Sequence, residues 1–310
     1  MRTEVDPAYI LQILDRERQS VPGFGTHLEV TPYVVRAVGP AWNGIAFSRF
    51  STAEAETIID QEIAHWSSLN RAFEWKVSSH DQPPDLIVRL RKRGFKIGRE
   101  EGLMILDVEE VPETLAVASS RAIKVEKLSD ESRIADFLSV EQAIWNRTRL
   151  SHEQLASSLS DPLERDVGFL AYQDEKPVGF ARLTVSPESA FAGLWGGGVL
   201  ENFRGKGVYR ALLAARIAEA KPRPGVRFLR VDALPTSQPI LEEYGFISLW
   251  RKPGPATGRL IKSQDAVTVL RQLITETLRL PHIQRVQADR TVGRWNGWFA
   301  RRAASFHQIR

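Results

Sequence analysis

The chain has 310 residues, 43% of them hydrophobic and 26% charged, with a formal net charge of +4, which is the balance of a soluble globular protein of about two domains. It contains no cysteine, which excludes disulfides and thiol nucleophiles and fits a reducing cytoplasm, and its six histidines form no H-x-H or H-x-x-x-H pair, so no metal site is visible. No apolar run approaches the roughly 20 residues needed to span a bilayer, and the opening MRTEVDPAYI lacks a signal core.

Asp6-Pro7 predicts a helix to about Arg18, with Ile10, Ile13 and Leu14 on one face. Val21 to Pro40, rich in Gly, Pro and Thr, reads as loop with a short strand at Tyr33-Val34-Val35. Gly44–Phe50 reads as a strand. Ser51-Thr52-Ala53-Glu54 has the form of a capping box opening a helix to about Leu69. Phe73–Val77 alternates like a strand, Asp85–Arg93 is a short helix ending at Gly94, and Phe95–Val108 is a strand or a hairpin around Gly102. Pro112–Arg121 reads as a linker.

The second half opens with a strand at Ile123–Leu128 and helices at about Asp130–Asn146 and Ser151–Leu159. Strands at Val167–Gln173 and Val178–Val185 flank Asp174-Glu175-Lys176-Pro177, a hairpin signal. Ala190–Leu200 is an apolar strand, and Val208–Ala220 is a helix ended by Pro222 and Pro224. Between them lies Arg204-Gly205-Lys206-Gly207. Glycines let the backbone turn sharply, the free N–H groups of a helix start point outward, and the helix dipole favours negative charge there. Strand, glycine turn and helix start thus suit a phosphate, with two cations beside it; the same pattern also suits an ordinary strand–turn–helix. Phe228–Ala233 is a further strand, Thr236–Glu243 a short helix and Phe246–Trp250 the last strand.

The stretch GGGVLENFRGKGVYRALLAA, Gly196–Ala215, resembles motif A of the GNAT superfamily of acyl-CoA-dependent N-acyltransferases. Val199, Arg204, Gly207 and Val208 stand at matching positions; Glu201 replaces the usual proline, and Tyr209 stands where the family prefers Gly or Ala. The element order of residues 122–252 and the late sequence LEEYGF resemble the family too. The resemblance implies a mixed α/β fold and acetyl-CoA as acyl-donor substrate, held by Gly197, Gly198, Val199, Arg204, Gly205, Lys206, Gly207, Val208 and Tyr209. It implies an N-acetyltransferase acting on an amine of a small molecule or peptide; a non-catalytic acyl-CoA-binding or regulatory protein is the alternative.

An internal repeat accompanies this. Asp81, Pro84, Leu90, Gly94 and Phe95 recur as Asp232, Pro235, Leu241, Gly245 and Phe246, each 151 positions later. The chain therefore reads as two tandem GNAT-like domains, a plan shared with mycothiol synthase: 1–115 without a CoA loop, 116–253 with the acetyl-CoA site, and 254–310 as an extension. At the repeat offset, Arg204-Gly205-Lys206-Gly207 align with Ala53-Glu54-Ala55-Glu56, which trades both glycines and both cations for alanines and acids.

The proton chemistry is less legible. The family's tyrosine, four residues before the Gly of Gly-Phe, falls at Leu241, and its earlier asparagine falls at Leu234. Asp232 and Glu188 are the candidate base or amine anchor; each also reads as a solvated or capping acid. The extension carries most of the basicity: residues 251–310 hold 12 Lys/Arg and 3 Asp/Glu, a net of +9 against −5 for the rest. Ser263 could cap a helix with Val267, Leu270, Ile274 and Leu278 on one face. Trp295, Trp298, Phe299, Ala303 and Phe306 form a second stripe, flanked by Arg294, Arg301 and Arg302. Such a stripe packs on the body or on the second subunit of a homodimer; nucleic-acid or membrane contact is the less favoured reading.

Overall fold

The computed structural model describes residues 6–40, 42–116, 123–249 and 259–262. The expected helices and basic stripe of 263–310 lie outside the described residues.

In chain order the elements are α1 (Pro7–Ser20), β1 (His27–Val30), β2 (Val34–Val38), β3 (Asn43–Ser48), α2 (Ala55–Ser68), β4 (Phe73–Lys76), α3 (Leu86–Lys92), β5 (Lys96–Ile97) and β6 (Gly102–Asp107). There follow α4 (Glu113–Ala116), β7 (Ile123–Lys127), α5 (Ile134–Trp145), α6 (His152–Leu159), β8 (Asp166–Gln173), β9 (Lys176–Thr184), β10 (Phe191–Val199), α7 (Val208–Ala220), β11 (Phe228–Ala233), α8 (Gln238–Glu243), β12 (Ile247–Ser248) and β13 (Arg259–Lys262). None of the described helices is long and apolar enough to cross a membrane.

Local signals account for most boundaries. Asp6 accepts a hydrogen bond from Ala8 N at 2.9 Å and caps α1, with Pro7 pre-set in its first turn. Ser151 and Gln154 form a reciprocal capping box at α6. Asp174 and Glu175 both adopt left-handed conformations and close the tight β8–β9 hairpin. One expectation is shifted: Ser51 and Glu54 do bond reciprocally, but α2 begins only at Ala55, so the pair closes the turn before the helix. A strand the sequence reading missed, β1, pairs with β2 in the segment expected to be loop.

The repeat is structural. Leu90 and Leu241 are both fully buried, Gly94 and Gly245 take φ of +83° and +86°, and the N–H of Phe95 and of Phe246 donates back to Leu90 O and Leu241 O at 3.2 and 3.1 Å. Two mixed sheets result, in the orders β1-β2-β3-β4-β13-β5 and β12-β6-β11-β10-β9-β8-β7. Each therefore takes one strand from across the repeat. β6 pairs antiparallel with β11 and β12, and β13 pairs antiparallel with β4 and β5, so the two equivalent strands are exchanged. Phe95–Val108 is accordingly not a hairpin: β5 and β6 lie in different sheets. The division expected after residue 115 follows the chain, and both sheets cross it. The expected extension from 254 likewise contains a strand of the first sheet.

The halves share a core as well. α1 buries Ile10 and Leu14 against Leu103, Ile105, Phe191, Phe228 and Leu249 of the second sheet. Its Arg18 turns the other way, donating to Ala46 O of β3 at 2.9 Å and to both Asp81 oxygens at 2.8 Å.

Candidate acyl-donor and acceptor site

β10 and β11 start as neighbouring parallel strands and then part. Their pairing runs from Phe191↔Phe228 to Gly193↔Arg230, yet β10 continues to Val199 and β11, kept in register by β6, continues to Ala233. A wedge with unpaired backbone on the β10 side opens between Leu194–Val199 and Val231–Ala233. On its other edge β10 pairs with β9, with a register shift between Trp195 and Gly198. Gly196, at φ +63°, carries that bulge. The bulge changes which face each residue meets. Leu194 packs under α7 and Trp195 faces away from it, whereas a Cβ on Gly197 would meet Tyr209 and Arg216 of α7, and one on Gly198 would meet Phe180 and Ile144. A Cβ at either position would crowd a neighbour at 3.0–3.2 Å, so glycine suits the close approach of both flanking helices to the strand.

The strand leads directly into the basic turn. Gly205 and Gly207 are left-handed at φ +72° and +83°, and a Cβ on Gly205 would meet nothing within 4 Å. Arg204, Gly205 and Lys206 are exposed, and Arg204 Nε donates to Val199 O at 3.3 Å. Gly207 is the N-cap of α7 and offers no side-chain cap. The first helical bond runs from Ala211 N to Gly207 O, so the N–H groups of Val208, Tyr209 and Arg210 precede the ladder. The structure thus brings all nine expected donor-binding residues, Gly197 to Val199 and Arg204 to Tyr209, to the bulge and the turn that follows it.

The equivalent place in the first half is built differently. Glu54 is engaged by Ser51, and Glu56 is paired with Arg89 and Arg93. Between the parting ends of β3 and β4, Trp75 donates from Nε1 to Ser48 Oγ and is itself fully buried.

On the face away from α7, the wedge is lined by charge. Lys76 of β4 and Asp232 of β11 pair at 2.5 Å, and Arg230 stands 3.7 Å from the same carboxylate. Both cations lie over the Trp195 ring, at 5.8 and 5.7 Å from its centre, and Trp195 Nε1 donates to Thr184 Oγ1 at 2.6 Å. Asp232 is therefore held as a counter-ion, like its repeat mate Asp81 with Arg18. Glu188 is remote: it lies in the turn before β10, and the strand from Phe191 to Gly196 alone spans about 16 Å at about 3.3 Å per residue. Leu241 is buried in the core, and Tyr244 packs against that core, so neither offers a proton to the wedge.

Two charged residues near the bulge were not singled out by the sequence reading. Glu141 of α5 is 2% exposed, one turn before Trp145, whose ring would touch a Cβ on Gly196. Burial raises its carboxyl above the ordinary range, against the pull of the Arg149 backbone N–H and of Arg182, the cross-strand neighbour of Trp195. Arg216 is also 2% exposed; burial lowers its guanidinium pKa while the Tyr209 hydroxyl opposes that shift. One signal marks both: each is a charge inside the apolar stripe of its helix, Glu141 with Phe137, Val140 and Ile144, Arg216 with Leu212, Leu213 and Ile217.

Residues 133–246 match a family model described as the acetyltransferase (GNAT) family. No curated protein matches the chain. Among solved structures, the chain is similar to a GCN5-related N-acetyltransferase from Kribbella flavida at 15% identity and a TM-score of 0.58, covering 84% of this chain and 96% of that one. It is similar to a conserved protein of unknown function from Staphylococcus epidermidis at 15% identity and a TM-score of 0.53, covering 76% and 93%. A third, a GCN5-related N-acetyltransferase from Sphaerobacter thermophilus, is 14% identical with a TM-score of 0.51, covering 76% and 81%. These likenesses concern the fold.

Proposed function

We propose, from the premise that residues 133–246 form an acetyltransferase domain of the GNAT family, that this protein transfers an acyl group from coenzyme A to an amine of a small molecule or peptide. The observation that carries the reading is the continuous path from the Gly196–Gly197 bulge, through the unpaired edge of β10, to the left-handed glycines at the start of α7.

In this reading the donor pyrophosphate lies on the N–H groups of Gly205 to Tyr209, with Arg204 and Lys206 adding charge-assisted bonds. The pantetheine arm runs along Gly197–Val199 as a substitute strand. Backbone N–H groups there polarise the thioester carbonyl without reorganising. The acceptor enters from the other face, past Trp195, Lys76 and Arg230. Glu141, rather than Asp232 or Glu188, is the base. A carboxyl whose pKa is raised by burial sits nearer the operating pH and takes a proton from an ammonium more effectively than an exposed acid does. The nitrogen attacks the acyl carbon, the C–S bond breaks, and the thiolate leaves.

The binding-only alternative has one observation in its favour: the position four residues before Gly245 is Leu241, buried and without a proton to give. Thiol release from acetyl-CoA against a panel of amines tests the two. Turnover with any amine supports transfer; tight coenzyme A binding with no turnover across the panel supports the alternative.

A further inference from the structure

Arg216 is a permanent charge that the reaction above does not use. It sits nine residues into the helix that follows the basic turn, about 13 Å along the axis, and its side chain reaches back toward Gly197. A Cβ on Gly197 would come within 3.2 and 3.6 Å of its two terminal nitrogens and 3.1 Å of the Tyr209 ring. Its Nε donates to Leu212 O at 3.1 Å, and its other hydrogen-bond partner is the Tyr209 hydroxyl. Among the described residues no carboxylate lies within ion-pair distance of it. The guanidinium cannot neutralise itself, so its burial is uncompensated by any counter-ion among the described residues. Two partly buried cations near the wedge do have one: Arg182 has Asp166, and Lys76 has Asp232.

We propose that Arg216 and Tyr209 form a carboxylate pocket in the donor wall, so that the acyl donor is a coenzyme A thioester of a short dicarboxylic acid. This rests on the acyl-transfer reading above. The placement carries it. Gly197 is where the thioester lies in that reading, and the guanidinium is pressed against the α7 side of the same residue, the side on which the donor lies. A terminal carboxylate two or three bonds beyond the thioester carbonyl reaches it. A donor that is anionic when bound offsets the buried charge in the resting complex; an oxyanion that exists only in passing does not. The chemistry is unchanged: the amine nitrogen bonds to the acyl carbon, the C–S bond breaks with its electrons on sulfur, an amine proton passes to Glu141, and the distal carboxylate is carried intact into the amide product. Two side chains of α7, Tyr209 in its first turn and Arg216 about two turns further on, thereby set donor selectivity.

The test is calorimetric binding of coenzyme A, butyryl-CoA and succinyl-CoA to the full-length chain. Butyryl and succinyl groups have the same carbon count and differ in the charge. The expected result is at least tenfold tighter binding of succinyl-CoA than of butyryl-CoA. Arg216→Met, which replaces the charge by an apolar chain of similar length, abolishes that preference and leaves coenzyme A affinity within about twofold. Tyr209→Phe, which keeps the ring, weakens the preference. Equal binding of the two thioesters by the unaltered protein overturns the inference while leaving acyl transfer standing. Failure of coenzyme A itself to bind overturns both.

Discussion

Lys76 and Asp232, 156 residues apart in sequence, meet at 2.5 Å and join β4 of the first sheet to β11 of the second. Their side chains are 21% and 4% exposed, so Asp232 is the partner that would suffer from losing its counter-charge. Lys76→Met is expected to destabilise the protein by about 2–3 kcal/mol, since it takes the nearest counter-charge from the buried Asp232 carboxylate. Replacing both residues with apolar ones of similar size recovers most of that. A double-mutant cycle by urea denaturation measures it; additive losses would show that the two charges are uncoupled.

Lys206→Glu changes an exposed side chain at the start of α7 and should leave the melting temperature unaltered. Losing one charge-assisted bond of about 1.5–3 kcal/mol and adding a repulsive carboxylate should weaken coenzyme A binding at least tenfold. Isothermal titration reads this directly, and unchanged affinity removes the phosphate from the turn.

Glu141→Gln separates catalysis from stability. The amide oxygen keeps the bond from the Arg149 backbone and loses the base, so turnover should drop by about 100-fold or more. The sign for stability is opposite. Burial raises the folded carboxyl pKa above the reference value of 4.5. The folded state therefore holds the extra proton between the two pKa values. The unaltered protein loses stability from this group as pH rises through that window, and the penalty is complete above the folded pKa. Glu141→Gln should match the unaltered protein at low pH and exceed it at pH 8, as denaturation at a series of pH values will tell.

Coenzyme A should saturate at one molecule per chain. In the first half Ser51 and Glu54 bond each other in the turn before α2, Glu56 is tied to Arg89 and Arg93, and no glycine occupies 53–56. Glu54→Gly with Glu56→Gly should leave both stoichiometry and affinity as they were. A titration ending at two per chain would mean that the first half also takes donor.

The strand exchange predicts a remote effect. Leu260→Pro with Ile261→Pro removes ladder donors from a strand lying between β4 and β5. Hydrogen exchange should then accelerate in Phe73–Lys76 and Lys96–Ile97 and stay slow in Lys176–Thr184. Undisturbed protection in the first sheet would contradict the exchange.

Much of this molecule was legible because its signals are local. Gly94 and Gly245 end helices in left-handed turns, Asp6-Pro7 opens one, and the basic turn at 204–207 precedes α7 at the expected residue. The donor-binding set was readable for the same reason: backbone N–H groups, two glycines and two cations all lie within a few residues of one another. The acids were not. Asp232 stood on a strand with an open reading as base or anchor, and only its partner Lys76, reached across the two sheets, gives it a role as counter-ion. Glu188 looked close to the site in sequence, but an extended strand carries it to the far end.

Sequence by itself determined the elements, the repeat and the phosphate turn, because dihedral preferences and helix-start chemistry act over one to four residues. Tertiary structure alone decided the rest. It decided that β6 and β13 trade sheets, because strand partners are selected by hydrogen-bonding edges that carry no address in the chain. It decided also that Glu141 and Arg216, two charges drawn into apolar stripes, are buried on the two helices that pack against the glycine bulge, because burial is a property of what packs on top of a residue and not of the residue.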